Sequence, residues 1–230
     1  MSPQRHPLTL LLLLLPWLLA AQPDRKQRFA AAAHLGLNLA QIDGDYYFGY
    51  NRPGVRFGLE TLYLINPKYF LTVGFTYSQG GARPTRGERL ERNNATVDLR
   101  LNTIEVPVLF NYRLGKKSAT GKKDDYALFR STTLRAGVAL SRLASYRTGS
   151  QGVPERNPIR YNFTRVEEEF CQFDMYAIVG ADIRMGLNGA LFVEHSKSVF
   201  GLYQPEVKDG DGVLPLFPYA LTIGLKYTLY

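Results

Sequence analysis

The chain is poor in the residues that carry most metal and redox chemistry. Its 230 residues hold one cysteine, three histidines, three methionines and one tryptophan. The lone thiol, Cys171, closes no internal disulfide and makes no metal site by itself. Long apolar runs are also scarce. Beyond Leu8–Leu19, itself interrupted by Thr9 and Pro16, nothing approaches the ~18 consecutive apolar residues of a spanning helix. That excludes a bundle of membrane helices.

What stands at the front is a targeting segment. Arg5 and His6 precede the apolar run, and Leu19-Ala20-Ala21 supplies small residues before Gln22. This pattern predicts a secretory signal peptide over 1–21, cleaved after Ala21, and a mature domain over 22–230. The run is too short to anchor the chain across a hydrocarbon core of ~30 Å. No cysteine sits at the cleavage site, so a lipoprotein is not expected. Cleavage removes Arg5 and no anion, leaving 27 cations against 20 anions, a net charge of +7. Trp17 is lost with the signal, so any aromatic girdle must come from Tyr and Phe. A basic exported chain suits lipid phosphates at a membrane surface and makes nucleic acid an improbable partner. Without a spanning helix it is either soluble or a closed sheet, because only helices and barrels satisfy their backbone in lipid.

The downstream sequence alternates. In Ala220–Tyr230 (ALTIGLKYTLY), Leu221, Ile223, Leu225, Tyr227 and Leu229 face one way and Thr222, Gly224, Lys226 and Thr228 the other. That is the period of a strand with one apolar face. Its 11 residues match the ~9–11 that a tilted strand needs to cross a bilayer. The segment resembles the C-terminal signal of outer-membrane barrels: a polar residue, a glycine, then spaced hydrophobic residues at Tyr227 and Leu229. Seven earlier segments alternate in the same way, near 31–40, 55–65, 69–79, 104–112, 133–143, 173–183 and 191–196.

The connections then sort themselves. Those over 41–53, 80–101, 144–172 and 200–218 are long, whereas 66–68 and 186–189 are tight turns. Long loops outside and short turns on the periplasmic side are the pattern of a bacterial outer-membrane barrel. The connection over 115–126 is the exception. The predicted fold is all-β, an eight-stranded antiparallel up-and-down transmembrane β-barrel.

Charge decides which face is which. Arg56, Glu60, Glu105, Arg135, Asp174, Asp182, Glu194 and Lys226 share their faces with most of the strand glycines. Arg or Lys at the lipid midplane costs ~2–4 kcal/mol, so this set must point inward. A lumen charge network is expected from Arg56, Glu60, Glu105, Arg135, Asp182, Glu194 and Lys226. Tyr63, Tyr69, Tyr112 and Tyr227 lie on the outward face beside the short turns, where a periplasmic girdle would sit. A soluble lipocalin-like barrel would put its apolar set inside instead.

Three stretches carry a resemblance. They are Gly36–Asp45 (GLNLAQIDGD), Ile104–Tyr112 (IEVPVLFNY), and Phe173-Asp174 with Val179-Gly180-Ala181, to which the terminal strand is added. In them the chain resembles the small outer-membrane β-barrels of Bacteroidota, the PorT-like or outer-membrane-protein β-barrel-domain family. The resemblance implies eight strands and a periplasmic N-terminus, and it accounts for Pro107, which removes a ladder donor from a strand. It implies little about activity. The founding member is linked to secretion of surface proteins.

Candidate chemistry is thin. In Glu194-His195-Ser196, neighbours on a strand point to opposite faces, so no triad geometry is expected. His34 is expected to face the lumen alone, too little for a metal. Gly115–Lys123 (GKKSATGKK) has one residue too many between its glycines and Lys123 where Ser or Thr should be, so it reads as a basic turn. The sequons at Asn94 and Asn162 carry no weight in a bacterial barrel. Arg83, Arg86, Arg89 and Arg92 recur every third residue in the second outer loop, and Arg forks suit lipopolysaccharide phosphates. No cofactor is expected. The function expected is that of a non-enzymatic outer-membrane component with a structural, adhesive or secretion-associated role, in contact with other cell-envelope or secretion proteins. The alternatives are a barrel enzyme acting on lipid A or surface peptides, and a small-solute channel. An eight-stranded barrel is just filled by its own side chains, which disfavours the channel.

Overall fold

The computed structural model describes residues 28–45, 47–91, 96–114, 132–151, 166–204 and 214–229. The signal segment, the Gly115–Lys123 connection and the asparagines of both sequons lie outside them. The strands run in order: β1 (Phe29–Asp43), β2 (Arg52–Leu64), β3 (Tyr69–Ala82), β4 (Thr96–Arg113), β5 (Thr132–Gln151), β6 (Phe173–Met185), β7 (Gly189–Ser198) and β8 (Phe217–Leu229). A short helix, α1 (Arg86–Glu91), lies between β3 and β4. Every strand pairs antiparallel with its sequence neighbours. β1 also pairs with β8, from Ala31↔Leu229 to Asp43↔Phe217, and this closes the barrel.

Local chemistry sets the tight turns. The Asn66 side-chain oxygen accepts from the backbone N–H groups of Lys68 and Tyr69, each at 2.8 Å, an Asx turn between β2 and β3. Gly186 supplies the positive φ of 79° that opens the turn between β6 and β7.

Within the wall the alternation holds as expected from the sequence. Residues 29–40 of β1 alternate exposed and buried one by one. Leu35, Leu37, Leu59, Phe75, Leu140, Val179 and Leu225 are all exposed and form a continuous apolar belt. A patch of that size is a liability in water and a solvation surface in lipid. Tyr69 stacks on Tyr112 at 5.1 Å and Phe29 packs on Tyr63 at 5.1 Å, an aromatic band at the short-turn end.

All four expected long loops are shorter than the sequence suggests, the last only by Phe217 and Pro218, which begin β8. The first loses Gln41–Asp43 to β1 and Arg52-Pro53 to β2. The second, expected over 80–101, is strand up to Ala82 and again from Thr96. The third, expected from 144, is strand through Gln151. The reason is a change of solvent. Above the belt the outside is water and the inside is apolar, so the alternation reverses phase. Leu99 and Leu101 are buried and Arg100 is exposed, whereas Val106 and Val108 below them are exposed. A bulge at Asn102/Thr103 against β5 falls near this switch.

The interior is layered. Ala30, Ala32, Leu62 and Phe70 form an apolar floor at the short-turn end. Ionised side chains fill the middle. At the loop end Ile42, Leu99, Leu101 and Leu216 meet Tyr47, Val166, Phe170, Leu202 and Tyr203 in an apolar cap built partly from loops. Pro107 is accommodated by a gap in the ladder: β3–β4 pairing runs to Val73↔Val108 and resumes at Thr76↔Glu105. Opposite this gap, a Cβ on Gly74 would lie 3.3 Å from the proline ring.

Candidate functional site

The ionic layer is assembled from six strands, β2 and β4 to β8. Arg56 donates to Glu105 at 2.7 Å and lies 3.2 Å from Glu194. Arg135 donates to Glu60 at 2.8 Å and to Asp182 at 3.3 Å, and lies 3.7 Å from Glu194. Lys226 donates to Asp182 at 2.9 Å and sits 3.1 Å from Glu60. All seven sequence-expected lumen residues are buried and joined in this one network. Charges held away from water need such partners, and removing one side of a buried pair costs ~3–5 kcal/mol.

Glycines make the room. Gly180 is the cross-strand partner of both Arg135 and Glu194, and a Cβ there would approach Val193 O to 2.6 Å. Gly58 faces His34, whose ring carbon would lie 2.9 Å from an added Cβ. Phe192, 2 % exposed, lies over Gly36 and Gly224 and closes the layer sideways.

His34 is not alone, contrary to the sequence expectation. Its ring lies 3.4 Å from Glu60 and 3.5 Å from the Thr76 hydroxyl, edge-on to Phe192 at 5.8 Å. It is an eighth member of the layer. The signal for it is its register opposite Lys226, which exists only once β1 meets β8. Asp174 stands apart from the layer. It accepts from the Ser198 hydroxyl at 2.6 Å and from the N–H groups of Met175 and Phe200, fixing the end of β7 and the start of the last outer loop.

Glu194, His195 and Ser196 alternate as strand geometry requires. Glu194 and Ser196 are buried, while the His195 ring packs outward near Tyr50 and Tyr219 at 6.5 and 6.2 Å. Between the ionic layer and the cap, Asn38 donates to Ser78 at 2.8 Å and accepts from Thr222 at 2.6 Å. A cavity of about 20 Å³ beside them is bounded by Thr103, Glu105, Tyr176 and Ser196. It holds on the order of one water. Among the described residues no three His, Cys, Asp or Glu side chains are grouped to hold a metal.

The arginine-rich loop contains structure that its repeat did not announce. Glu88 of α1 accepts from the Thr85 N–H at 2.7 Å and its own N–H donates to the Thr85 hydroxyl at 3.2 Å, a capping box. Its other oxygen accepts from the Phe48 N–H at 3.0 Å, tying the second outer loop to the first. Arg83 and Arg86 are exposed. The Arg89 side chain and Arg92 lie outside the described residues.

Beneath that contact, Asp45 is completely buried. It accepts from the Tyr47 N–H at 2.9 Å and from the Gln41 amide at 3.1 Å. Burial, with Glu88 nearby, pushes its carboxyl up to about 7, against the pull of the Tyr47 N–H.

Solved structures of similar architecture include the following three. Ail, the attachment invasion locus protein of Yersinia pestis, is 9% identical, with a TM-score of 0.43 over 88% of this chain and 100% of that one. Neisserial surface protein A is 14% identical, with 0.41 over 87% and 97%. CarO of Acinetobacter baumannii is 11% identical, with 0.42 over 86% and 97%. No curated protein matches the sequence. Residues 20–203 match the family described as outer membrane protein beta-barrel domain. A match over that share of the chain, on a closed barrel of eight antiparallel strands with an apolar outer belt, makes this protein a member of the outer membrane protein β-barrel domain family.

Proposed function

We propose that the mature protein is a non-enzymatic component of the bacterial outer membrane that acts through its loop end, in a structural, adhesive or secretion-associated role. The observation that carries this is the filled lumen. Floor, ionic layer, polar layer and cap follow one another along the described barrel, which supports a filled lumen over a solute channel. Among the described residues, the upper β4–β5 ribbon, α1 and the loop residues of the cap stand above the apolar belt. The triad-like Glu194-His195-Ser196 splits across the wall, which removes the support for an enzyme reading. Export by a signal peptide cleaved after Ala21 and kinship with the Bacteroidota PorT-like proteins belong to the same proposal, on the motifs quoted above. Contacts with envelope or secretion proteins would be made at the loop end.

The test uses the mature chain refolded in detergent and added to a planar bilayer. It should migrate faster unboiled than boiled, because a closed barrel resists detergent unfolding, and it should give no steady single-channel current. A steady open channel, or a mature chain soluble in the periplasm without detergent, would overturn the proposal.

A further inference from the structure

The outer wall carries an arrangement of charge that the fold leaves unbalanced. Arg100 of β4 and Arg147 of β5 are direct cross-strand partners, and both are exposed. Side chains so placed have Cβ atoms ~5 Å apart, and like charges there destabilise the pair. Arg142, also exposed on β5, lies below them, with its guanidinium 5.8 Å from the ring of its β6 partner, Phe173. None of the three has an acidic partner among the described residues. Two other cations near the rim are matched: Lys197 with Asp43 at 2.7 Å and Arg52 with Asp98 at 2.5 Å. Asp98, the acid two residues from Arg100 on β4, is therefore already engaged.

Height gives the arrangement its meaning. Arg100 is 12 residues up β4 from Tyr112 of the aromatic band. At ~3.4 Å per residue and a tilt of ~40°, that places it ~30 Å from the band, just past an apolar belt ~25 Å tall. The arginines thus stand on the outward wall at the depth of the outer-leaflet headgroups, not in the mouth of the barrel.

We propose that Arg100 and Arg147, with Arg142 beneath them, bind the phosphate of a phosphorylated glycolipid in the outer leaflet. A phosphate between two guanidinium forks turns a repulsive pair into two charge-assisted contacts. The acyl chains of the same lipid lie against the belt below, and the Arg142–Phe173 pair marks the boundary. The β4–β5 ladder fixes the backbone positions of Arg100 and Arg147 opposite one another. A soluble phosphate has no reason to prefer an open wall.

This inference rests on the outer-membrane reading, and the experiment separates the two. The mature protein, folded in micelles and verified by its unboiled mobility, is titrated with diphosphoryl lipid A, dephosphorylated lipid A and inorganic pyrophosphate, with bound lipid counted by native mass spectrometry. Wild type should prefer the phosphorylated lipid by about tenfold, the scale of one or two charge-assisted hydrogen bonds. Arg100→Gln/Arg147→Gln should lose that preference, while Arg83→Gln/Arg86→Gln should keep it. The first variant, free of lipid, should unfold at no lower temperature than wild type, since it relieves repulsion. Equal binding of the two lipid A forms, retention of the preference by Arg100→Gln/Arg147→Gln, its loss in Arg83→Gln/Arg86→Gln, pyrophosphate binding as tight as the lipid, or a lower unfolding temperature would each overturn the inference while leaving the barrel reading intact. A wild type that never reaches the fast-migrating form would take both down.

Discussion

At the scale of single residues, Asp45 is the group whose chemistry depends most on the fold. It is fully buried under the cap and makes no ion pair among the described residues, and burial lifts its carboxyl to about 7. The folded protein therefore holds a proton that the unfolded chain releases near pH 4. Between those values stability falls as pH rises, and above about 7 the loss is complete. The cap should be tighter at pH 5 than at pH 8. Because Asp45 anchors the Gln41 amide and the Tyr47 N–H, the effect should be local to the first outer loop. Limited proteolysis or hydrogen exchange of residues 44–51 at the two pH values checks this. Asp45→Asn should keep the hydrogen bonds and abolish the difference. An unchanged difference in that variant would assign the titration elsewhere.

At the scale of the strand, the closed sheet was legible because lipid enforces one rule on every crossing: apolar out, polar in. The seven lumen charges followed from that rule alone. Which acid meets which base was not legible, because partners such as Arg135 and Glu60 are 75 positions apart and meet across the lumen. That pairing depends on the stagger of the whole barrel, as does the place of His34 opposite Lys226. The upper parts of β4 and β5 escaped notice for a related reason. Beyond Thr103 the inward residues become Leu101 and Leu99, so a search for the membrane phase sees the pattern stop. It has only reversed. Glycines on the inward face carry a sharper expectation. A Cβ on Gly224 would lie 2.3 Å from Leu35 O, 2.5 Å from the Gly36 Cα and 2.7 Å from the Phe192 ring. Backbone on two sides cannot yield as a flexible side chain does. Gly224→Ala should therefore refold poorly and give little of the fast-migrating form. Gly80→Ala, where the added carbon meets only Ala40 Cβ at 3.5 Å, should refold like wild type. Equal refolding yields would show that β8 packs more loosely on β1 than this.

At the scale of the molecule, everything depends on β1 meeting β8. Tyr227, Thr228 and Leu229 pair with Ala33, Ala32 and Ala31, and the Thr228 N–H also donates to Asn188 O at 2.8 Å. Removing Tyr227–Tyr230 would leave the lower end of β1 without its second neighbour. In the hydrocarbon region an unpaired backbone group has no water to turn to and costs several kcal/mol. The same deletion strips exposed apolar side chains, Tyr227 and Leu229, from the belt. Deleting Arg83–Arg92 removes α1 and its contact with the first loop but no ladder pair, because β3 ends at Ala82 and β4 begins at Thr96. The terminal deletion should therefore lower accumulation in the outer membrane far more than the loop deletion. Quantifying each deletant in membrane fractions checks this, with unboiled mobility as the measure of closure. If both accumulate equally in the fast-migrating form, the lower β1–β8 seam contributes little to assembly, and the barrel must be held shut by the upper pairs from Leu35↔Leu225 to Asp43↔Phe217.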